Sequence, residues 1–166
     1  MLERVVHYLH SHDVPFRLSS YPSPEPLPGV AYRLPPGGVM VETRVLLVDG
    51  QPTVACMARG AKLNLASLEN ELGMVVEGSA EDLPSPYKGA GGPTPPLGRA
   101  MGILTLVDEA VAMASAIVFA AFSPNNIVEI PYVDFSRVEQ PRVASFAVGG
   151  ELPETAGSSA PERKVA

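Results

Sequence analysis

Residues 89–98 read Gly-Ala-Gly-Gly-Pro-Thr-Pro-Pro-Leu-Gly, and they form the segment of this chain best suited to contact a ligand. The glycines let backbone N–H groups approach a bound molecule closely, because no side chain stands in the way. The prolines stiffen the same segment by fixing φ. A flexible tether would be rich in glycine and serine without the prolines. The composition therefore predicts either a shaped binding loop or an ordinary stiff surface connection.

Histidines and the single cysteine are the next residues that could do chemistry. His7 and His10 lie three positions apart on a predicted helix, with His12 close behind, and such spacing can bind a metal ion. No cluster of carboxylates joins them, so a polar helix surface is the simpler interpretation and we predict no metal site. Cys56 lies in a predicted strand, where a buried, inert thiol is favoured over a nucleophile.

Length and composition favour one globular domain. The chain has 166 residues, of which 46% are hydrophobic and 18% charged, a balance typical of a folded core rather than of disorder. One cysteine excludes an intrachain disulfide and points to a reducing compartment. The N-terminus lacks the pattern of a secretory signal, and the longest apolar run, 110–122, is too short to span a bilayer. We therefore expect a cytoplasmic protein with no membrane partner.

The net charge argues against an extended nucleic-acid surface. The formal charge is −6 at pH 7, whereas proteins that bind a long nucleic-acid backbone usually carry a basic face. Any RNA contact is therefore expected to be small and local. The cations that could form such a patch are Arg44, Arg59, Lys62 and Arg99. The sequence does not predict the oligomeric state.

The spacing of apolar residues predicts a mixed α/β order of elements. Asp49-Gly50 between two apolar runs is typical of a hairpin turn. Asn64 can cap a helix that Gly73 ends. The predicted elements are helices at 2–12, 65–72 and 131–139, a helical turn at 79–83, strands at 15–18, 39–48, 52–58, 74–77 and 127–130, and further apolar stretches at 103–107 and 116–122.

The predicted domain covers residues 1–148. Residues 149–166 have little to bury, and we expect them to be a disordered C-terminal tail. Within the domain, residues 21–38 contain six prolines and three glycines. This composition predicts an irregular loop, which could cover a cleft or a partner surface.

Four features, taken in order along the chain, carry a family resemblance. They are the first helix with the strand at 15–18, the hairpin at 45–50 with the helix start at 62–65, the loop at 91–98 with the stretch at 106–109, and the turn, strand and helix at 123–135. Together they cover residues 2–140. They resemble the YbaK/prolyl-tRNA-synthetase-associated domain family, whose members hydrolyse mischarged aminoacyl-tRNA.

The resemblance implies a mixed α/β (α+β) fold with a curved, largely antiparallel sheet around a cleft, flanked by helices. It implies hydrolysis of mischarged aminoacyl-tRNA in trans, with no metal or organic cofactor. The glycine–proline loop would hold the terminal adenosine of the aminoacylated tRNA 3′ end and help orient the ester. N–H donors held in place, or a cation, would stabilise the charge that develops on the carbonyl oxygen. The substrate-binding residues implied are Gly91, Gly92, Thr94, Pro95, Gly98, Lys62 and Asn125.

A lysine that the family places at the start of the long strand is missing here. The window 42–44 reads Glu-Thr-Arg, and the best register puts Glu42 at the lysine position, which reverses the charge. Strand alternation places Glu42 and Arg44 on one face, towards the cleft or solvent, and Thr43 on a mainly apolar face. A carboxylate at this position would repel a phosphate group.

Three interpretations of Glu42 and Arg44 remain open, and both are assigned as candidate catalytic residues. In the first interpretation, Glu42 and Arg44 form a solvated ion pair that contributes little to stability. Alternatively, Arg44 replaces the lysine as the cation that meets the tRNA end. In the third interpretation Glu42 is a general base for water, which needs burial that the adjacent arginine opposes. The missing lysine also favours an alternative function, a non-catalytic module that binds an RNA end, a small ligand or a protein in the cleft.

Overall fold

A computed structural model describes residues 1–21 and 32–153. Its helices are α1 (Leu2–Ser11), α2 (Leu65–Leu72), α3 (Glu109–Ala112) and α4 (Tyr132–Glu139), with short 3-10 turns at Ala80–Asp82 and Arg99–Met101. Its strands are β1 (Arg17–Ser20), β2 (Gly38–Val48), β3 (Gln51–Ala58), β4 (Lys62–Leu63), β5 (Val75–Glu77), β6 (Leu104–Asp108), β7 (Ala116–Ala120), β8 (Asn126–Pro131), β9 (Arg142–Ala144) and β10 (Ala147–Val148).

The main sheet has the strand order β1-β8-β7-β2-β3-β6-β9, and β5 pairs with β2 beside this path. Antiparallel pairing joins β1 to β8, β8 to β7, β2 to β3 and β2 to β5. Parallel pairing joins β7 to β2, β3 to β6 and β6 to β9. The short strands β4 and β10 form a separate antiparallel pair. The expected fold class, a mixed α/β fold with a largely antiparallel sheet flanked by helices, is confirmed.

Local sequence signals explain the central hairpin and the helix that follows it. Asp49 and Gly50 have φ values of 49° and 82°, the left-handed pair that a two-residue hairpin turn requires. The turn sets the register of β2 against β3, with Val48 opposite Gln51. The side chain of Asn64 caps α2 by accepting a hydrogen bond from the backbone of Ser67.

The core lies between the sheet and the apolar faces of the helices. Val5 and Leu9 of α1 are buried one turn apart, as the helical spacing predicts. Leu68 of α2 and Phe135 of α4 are also buried in the same apolar cluster. Cys56 is fully buried in β3, and burial raises the pKa of its thiol. This placement fits the interpretation of Cys56 as an inert core residue.

Two predicted segments fall partly outside the described residues. Residues 22–31 of the proline-rich loop and 154–166 of the predicted tail lie there. Just before the second gap, the backbone N–H of Glu151 donates to Arg59 O at 2.9 Å, and the two side chains form an ion pair at 2.7 Å. The boundary at residue 148 stays a prediction. Within 1–21 and 32–153, no helix has the length and apolar character needed to cross a membrane.

Candidate functional site

Hydrogen bonds hold both ends of the glycine–proline loop (residues 89–98). At the first end, the N–H of Gly89 donates to Ala80 O at 2.8 Å. At the other end, the N–H of Gly98 donates to the hydroxyl of Thr105 at 2.9 Å in a buried environment. The loop is therefore fixed to the body of the protein on both sides, as its proline content predicts.

The middle of the loop packs closely against the end of β7. The N–H of Phe122 donates to Pro93 O at 2.7 Å. Gly92 has φ +76°, and a Cβ at this position would overlap the backbone carbonyl of Phe122. Glycine is therefore required at position 92 both for its backbone conformation and for the close approach of two chain segments.

Several N–H groups of the loop make no hydrogen bond with residues 1–21 or 32–153. Among the described residues, no hydrogen bond has the N–H of Gly91, Gly92 or Thr94 as its donor. Gly91 and Gly92 are exposed, Thr94 is half-buried and Pro95 is buried. The loop thus presents unpaired backbone donors next to the buried Pro95.

A groove adjoins the loop on the side of helix α1. It has a volume of about 300 Å³, at the lower end of the range for small-molecule sites. We call it the α1 groove, and its lining residues are Glu3, Arg4, His7, Tyr8, Ser11, Tyr87 and Ala100. A narrower cavity shares Arg4, Tyr87 and Ala100 with this groove and extends to Pro95 and Phe122. The groove and the cavity therefore both have residues of α1 in one wall.

A buried carboxylate, Glu139, connects the groove to the loop. Its oxygens accept hydrogen bonds from the Tyr8 hydroxyl at 2.8 Å, the Thr105 hydroxyl at 2.9 Å and the backbone N–H of Arg99 at 2.9 Å. Its side chain is only 2% exposed, and burial raises its pKa although these three donors oppose the shift. Glu139 thus links α1, β6 and the segment that follows the loop.

Sequence reasoning missed the role of Glu139 and of the α1 groove. Glu139 lies at the end of a short helix, where a carboxylate is usually solvated, and its partner Tyr8 is 131 residues away. No local pattern reports so distant a contact.

Glu42 and Arg44 are brought together with each other and with a third acidic residue. The Nε of Arg44 lies 3.3 Å from Glu42 Oε2, and its Nη1 lies 2.9 Å from Glu77 Oε2. The other carboxylate oxygen of Glu42 accepts a hydrogen bond from the N–H of Gly60 at 2.8 Å. All three charged side chains are partly exposed. The charge of Arg44 is therefore offset by two carboxylates.

The side of β2 that faces the loop segment carries other residues. Val45 packs with Leu83 and Met101 in one apolar cluster, and Met101 also lines the narrow cavity that reaches Pro95. Strand alternation puts Arg44 on the opposite side of β2 from Val45. Among the described residues, the ion pairs of Arg44 are with Glu42 and Glu77 and not with residues of the glycine–proline loop.

Thr43 lies between the two charged residues of β2. It shares the face of Val45, and its hydroxyl oxygen is buried with no hydrogen-bond partner among the described residues. Sequence reasoning placed Thr43 on the apolar face and gave it no role. A buried polar atom without a partner is uncommon and needs a specific explanation.

The remaining predicted site residues lie in two places. Asn125 is in the turn between β7 and β8, close to the loop, because Gly92 packs against Phe122 and Ser123 at the start of that turn. Its side-chain oxygen is also buried without a partner in the part of the chain that the structure describes. Lys62 is exposed on β4, where it pairs with Val148 of β10. The loop and the Asn125 turn thus belong together, whereas Lys62 lies on the small β4–β10 pair.

The cations of the predicted basic patch have separate partners. Arg59 pairs with Glu151, and the side chain of Arg99 donates to Gln140 at 2.8 Å. Arg44 is held by Glu42 and Glu77. Each of these three arginines is therefore held by different neighbours.

Comparisons with known proteins show the fold. No protein-family model and no curated protein matches the chain. A structure provisionally identified as a signal transduction protein of Marinobacter aquaeolei VT8 matches with a TM-score of 0.65 at 19% identity, over 89% of this chain and 31% of that one. This chain therefore spans about a third of the length of that protein.

Two shorter proteins match over nearly their whole length. A hypothetical protein matches with a TM-score of 0.68 at 18% identity, over 87% of this chain and 99% of its own. A protein provisionally identified as a trans-editing enzyme for prolyl tRNA synthetase matches with a TM-score of 0.62 at 13% identity, over 89% and 96%. The chain is structurally similar to a YbaK-like fold.

Proposed function

We propose that this chain hydrolyses the ester of mischarged aminoacyl-tRNA in trans, with the glycine–proline loop receiving the aminoacylated 3′ end. The observation that carries the proposal is the loop itself, held at both ends with the N–H groups of Gly91, Gly92 and Thr94 not used within the described residues. The similarity of the fold to a protein provisionally identified as a trans-editing enzyme supports the same reaction.

The proposed chemistry uses backbone donors rather than a side-chain cation. Attack of water on the ester carbonyl places negative charge on its oxygen, and fixed N–H groups stabilise that charge without reorganising. Losing one such donor typically lowers turnover by about 100-fold to 1,000-fold. Pro95 and the turn that contains Asn125 would form the wall against which the terminal adenosine and the amino acid pack. Specificity would come from the size of the space left for the amino acid.

The experiment is a deacylation assay with a panel of tRNAs, each charged with a non-cognate amino acid. We expect the purified protein to release the amino acid from at least one substrate faster than buffer alone. Gly92→Ala should abolish that release, because the added Cβ would displace the loop. Turnover of no substrate above the buffer rate would contradict the proposal.

A second candidate function is a non-catalytic module that binds an RNA end, a small ligand or a protein. The specific observation in its favour is the pairing of Arg44 with Glu42 and Glu77, which leaves the missing lysine without an available replacement on β2. This candidate predicts binding of the tRNA 3′ end without turnover. It also predicts that Glu42→Lys confers no deacylation, whereas a gain of turnover in that variant would favour the enzyme.

A further inference from the structure

The α1 groove lies beside the glycine–proline loop, because two of its lining residues, Tyr87 and Ala100, flank that loop in the chain. The narrow cavity between them has a volume of only about 10 Å³, and Pro95, Phe122 and Arg4 are among its lining residues. From Glu3 to Ser11, helix α1 rises about 12 Å along the groove. The groove and the loop are therefore near enough for one extended ligand to contact both.

The polar groups in this groove differ in whether they have partners. The Tyr8 hydroxyl donates to Glu139, and the Ser11 hydroxyl donates to the carbonyl of His7. In contrast, the guanidinium of Arg4 and the imidazole ring of His7 make no hydrogen bond or ion pair with residues 1–21 or 32–153. Arg4 and His7 lie one helical turn apart and share a face. The unused polar groups of the groove are thus N–H donors, one of them permanently charged.

An aromatic ring forms the opposite wall. Tyr87 stacks on Phe122 with ring centroids 6.1 Å apart and planes inclined by 18°. Its hydroxyl donates to Ala100 O at 3.4 Å. Phe122 is itself held by the loop through Pro93. The orientation of the Tyr87 ring is therefore fixed by its neighbours. A fixed ring is a suitable surface for packing a planar group such as a base.

We propose that the α1 groove binds the nucleotide on the 5′ side of the esterified terminal nucleotide. Arg4 and His7 would bind its phosphate, and Tyr87 would pack against its base. Sites for single-stranded nucleic acid combine such cations with aromatic surfaces. One such contact is compatible with the net charge of −6, because the site touches a single phosphate. Glu3 is the carboxylate at the rim. The inference rests on the proposed function, because that function places the esterified 3′ end of the RNA at the loop.

Binding can be tested without any turnover. The probe is a fluorescein-labelled single-stranded RNA hexamer ending in CCA, titrated with protein at low salt and followed by fluorescence anisotropy. Arg4→Gln should weaken binding about tenfold, since a hydrogen bond to a charged group is lost. Tyr87→Leu, which keeps an apolar side chain against Phe122, should weaken binding at least fivefold through the lost stacking.

The matched control is Arg142→Gln. Arg142 is exposed on β9 and pairs with Glu71, so its substitution removes the same charge from another part of the protein. We expect its affinity for the hexamer to stay within twofold of the unaltered protein. Absence of binding by the unaltered protein, or equal losses in Arg4→Gln and Arg142→Gln, would overturn the inference.

A kinetic comparison separates this inference from the proposed function. With mischarged tRNA, Arg4→Gln should raise KM about tenfold and leave kcat unchanged. With 2′(3′)-O-aminoacyl-adenosine, which lacks the preceding nucleotide, the same variant should behave like the unaltered protein. An equal effect on both substrates would overturn the groove assignment. If RNA binding depends on Arg4 but neither substrate is turned over, the proposed function is contradicted and the assignment of the α1 groove as an RNA site is supported.

Discussion

The glycine–proline loop and the charged segment of β2 both have polar groups near the surface, yet they differ in how those groups are used. In the loop, hydrogen bonds fix the ends at Gly89 and Gly98. Between them, the N–H groups of Gly91, Gly92 and Thr94 have no partner among the described residues. On β2, Arg44 has two carboxylate partners, and Glu42 also accepts from a backbone N–H.

This difference shows that residue type is a weaker guide to function than the availability of each group. An arginine and a glutamate are more reactive by type than a glycine amide, but both are already paired. A backbone donor held rigidly and left unpaired is better prepared to bind a new oxygen atom. Substitutions at the contact that fixes the loop to α1, in the loop itself and on β2 test this difference.

The largest expected effect is on stability, from Glu139→Leu. Leucine removes the acceptor of three hydrogen bonds, from Tyr8, Thr105 and Arg99, in a site that is only 2% exposed. Leaving buried donors unpaired costs about 1–3 kcal/mol for each. We expect the free energy of unfolding in urea to fall by about 3–5 kcal/mol.

Glu139→Gln is the control for this prediction, since its side-chain oxygen still accepts hydrogen bonds. Glu139→Gln should retain most of the stability that Glu139→Leu loses. A loss below about 1 kcal/mol in Glu139→Leu would show that the three hydrogen bonds contribute little. In that case Glu139 would not be what fixes the loop relative to α1.

The next largest effect is expected from Gly92→Ala, with Gly91→Ala as its neighbouring control. Gly92 has φ +76° and lies against the carbonyl of Phe122, whereas a Cβ on Gly91 meets no atom within 4 Å. An alanine forced into the left-handed region costs about 1–3 kcal/mol. Gly91→Ala should change the free energy of unfolding by less than about 0.5 kcal/mol.

Thermal unfolding and deacylation, measured on both variants, check this pair. Gly92→Ala should lower Tm and remove turnover, and Gly91→Ala should keep Tm. Equal behaviour of the two variants would mean that the close contact with Phe122 does not shape the loop.

The sequence predicts those parts of the fold that depend on neighbouring residues. The turn at Asp49-Gly50, the cap at Asn64 and the glycine–proline loop all follow from short-range rules of backbone conformation. Alternation along β2 also predicts correctly that Glu42 and Arg44 share a face. It does not predict which face is turned towards the loop, because that depends on how β2 packs against the turn at Arg99–Met101.

Contacts between distant segments could not be predicted in the same way. Glu139 and Tyr8 are 131 positions apart, and the α1 groove exists only when α1 is packed beside Tyr87. Neither residue belongs to a motif, so a single sequence contains no local signal for their contact.

A smaller effect is expected on the pH dependence of stability, again at Glu139. Burial raises the pKa of this carboxyl above its usual value of 4.5, so the folded protein binds the proton more tightly than the unfolded chain. The stabilisation from this proton is fully present below pH 4.5 and is lost as pH rises through the raised pKa. The stability of the unaltered protein relative to Glu139→Gln should therefore increase as pH is lowered from 8 to 5.

Urea unfolding of both proteins at each pH measures this difference directly. Because the two proteins share every other titrating group, their difference isolates Glu139. A difference that is independent of pH, or that shrinks on acidification, would contradict the assigned shift.

The smallest effect is expected from Arg44→Gln on β2. Arg44, Glu42 and Glu77 are partly exposed, and ion pairs of this kind contribute about 0–1 kcal/mol to stability. We expect the free energy of unfolding to change by less than about 1 kcal/mol, and the deacylation rate to stay within threefold. Glu77→Gln, which removes one partner and keeps the arginine, is the control. If Arg44→Gln instead loses turnover while its Tm is unchanged, the arginine acts as the cation that replaces the lysine, and the contrast between β2 and the loop fails.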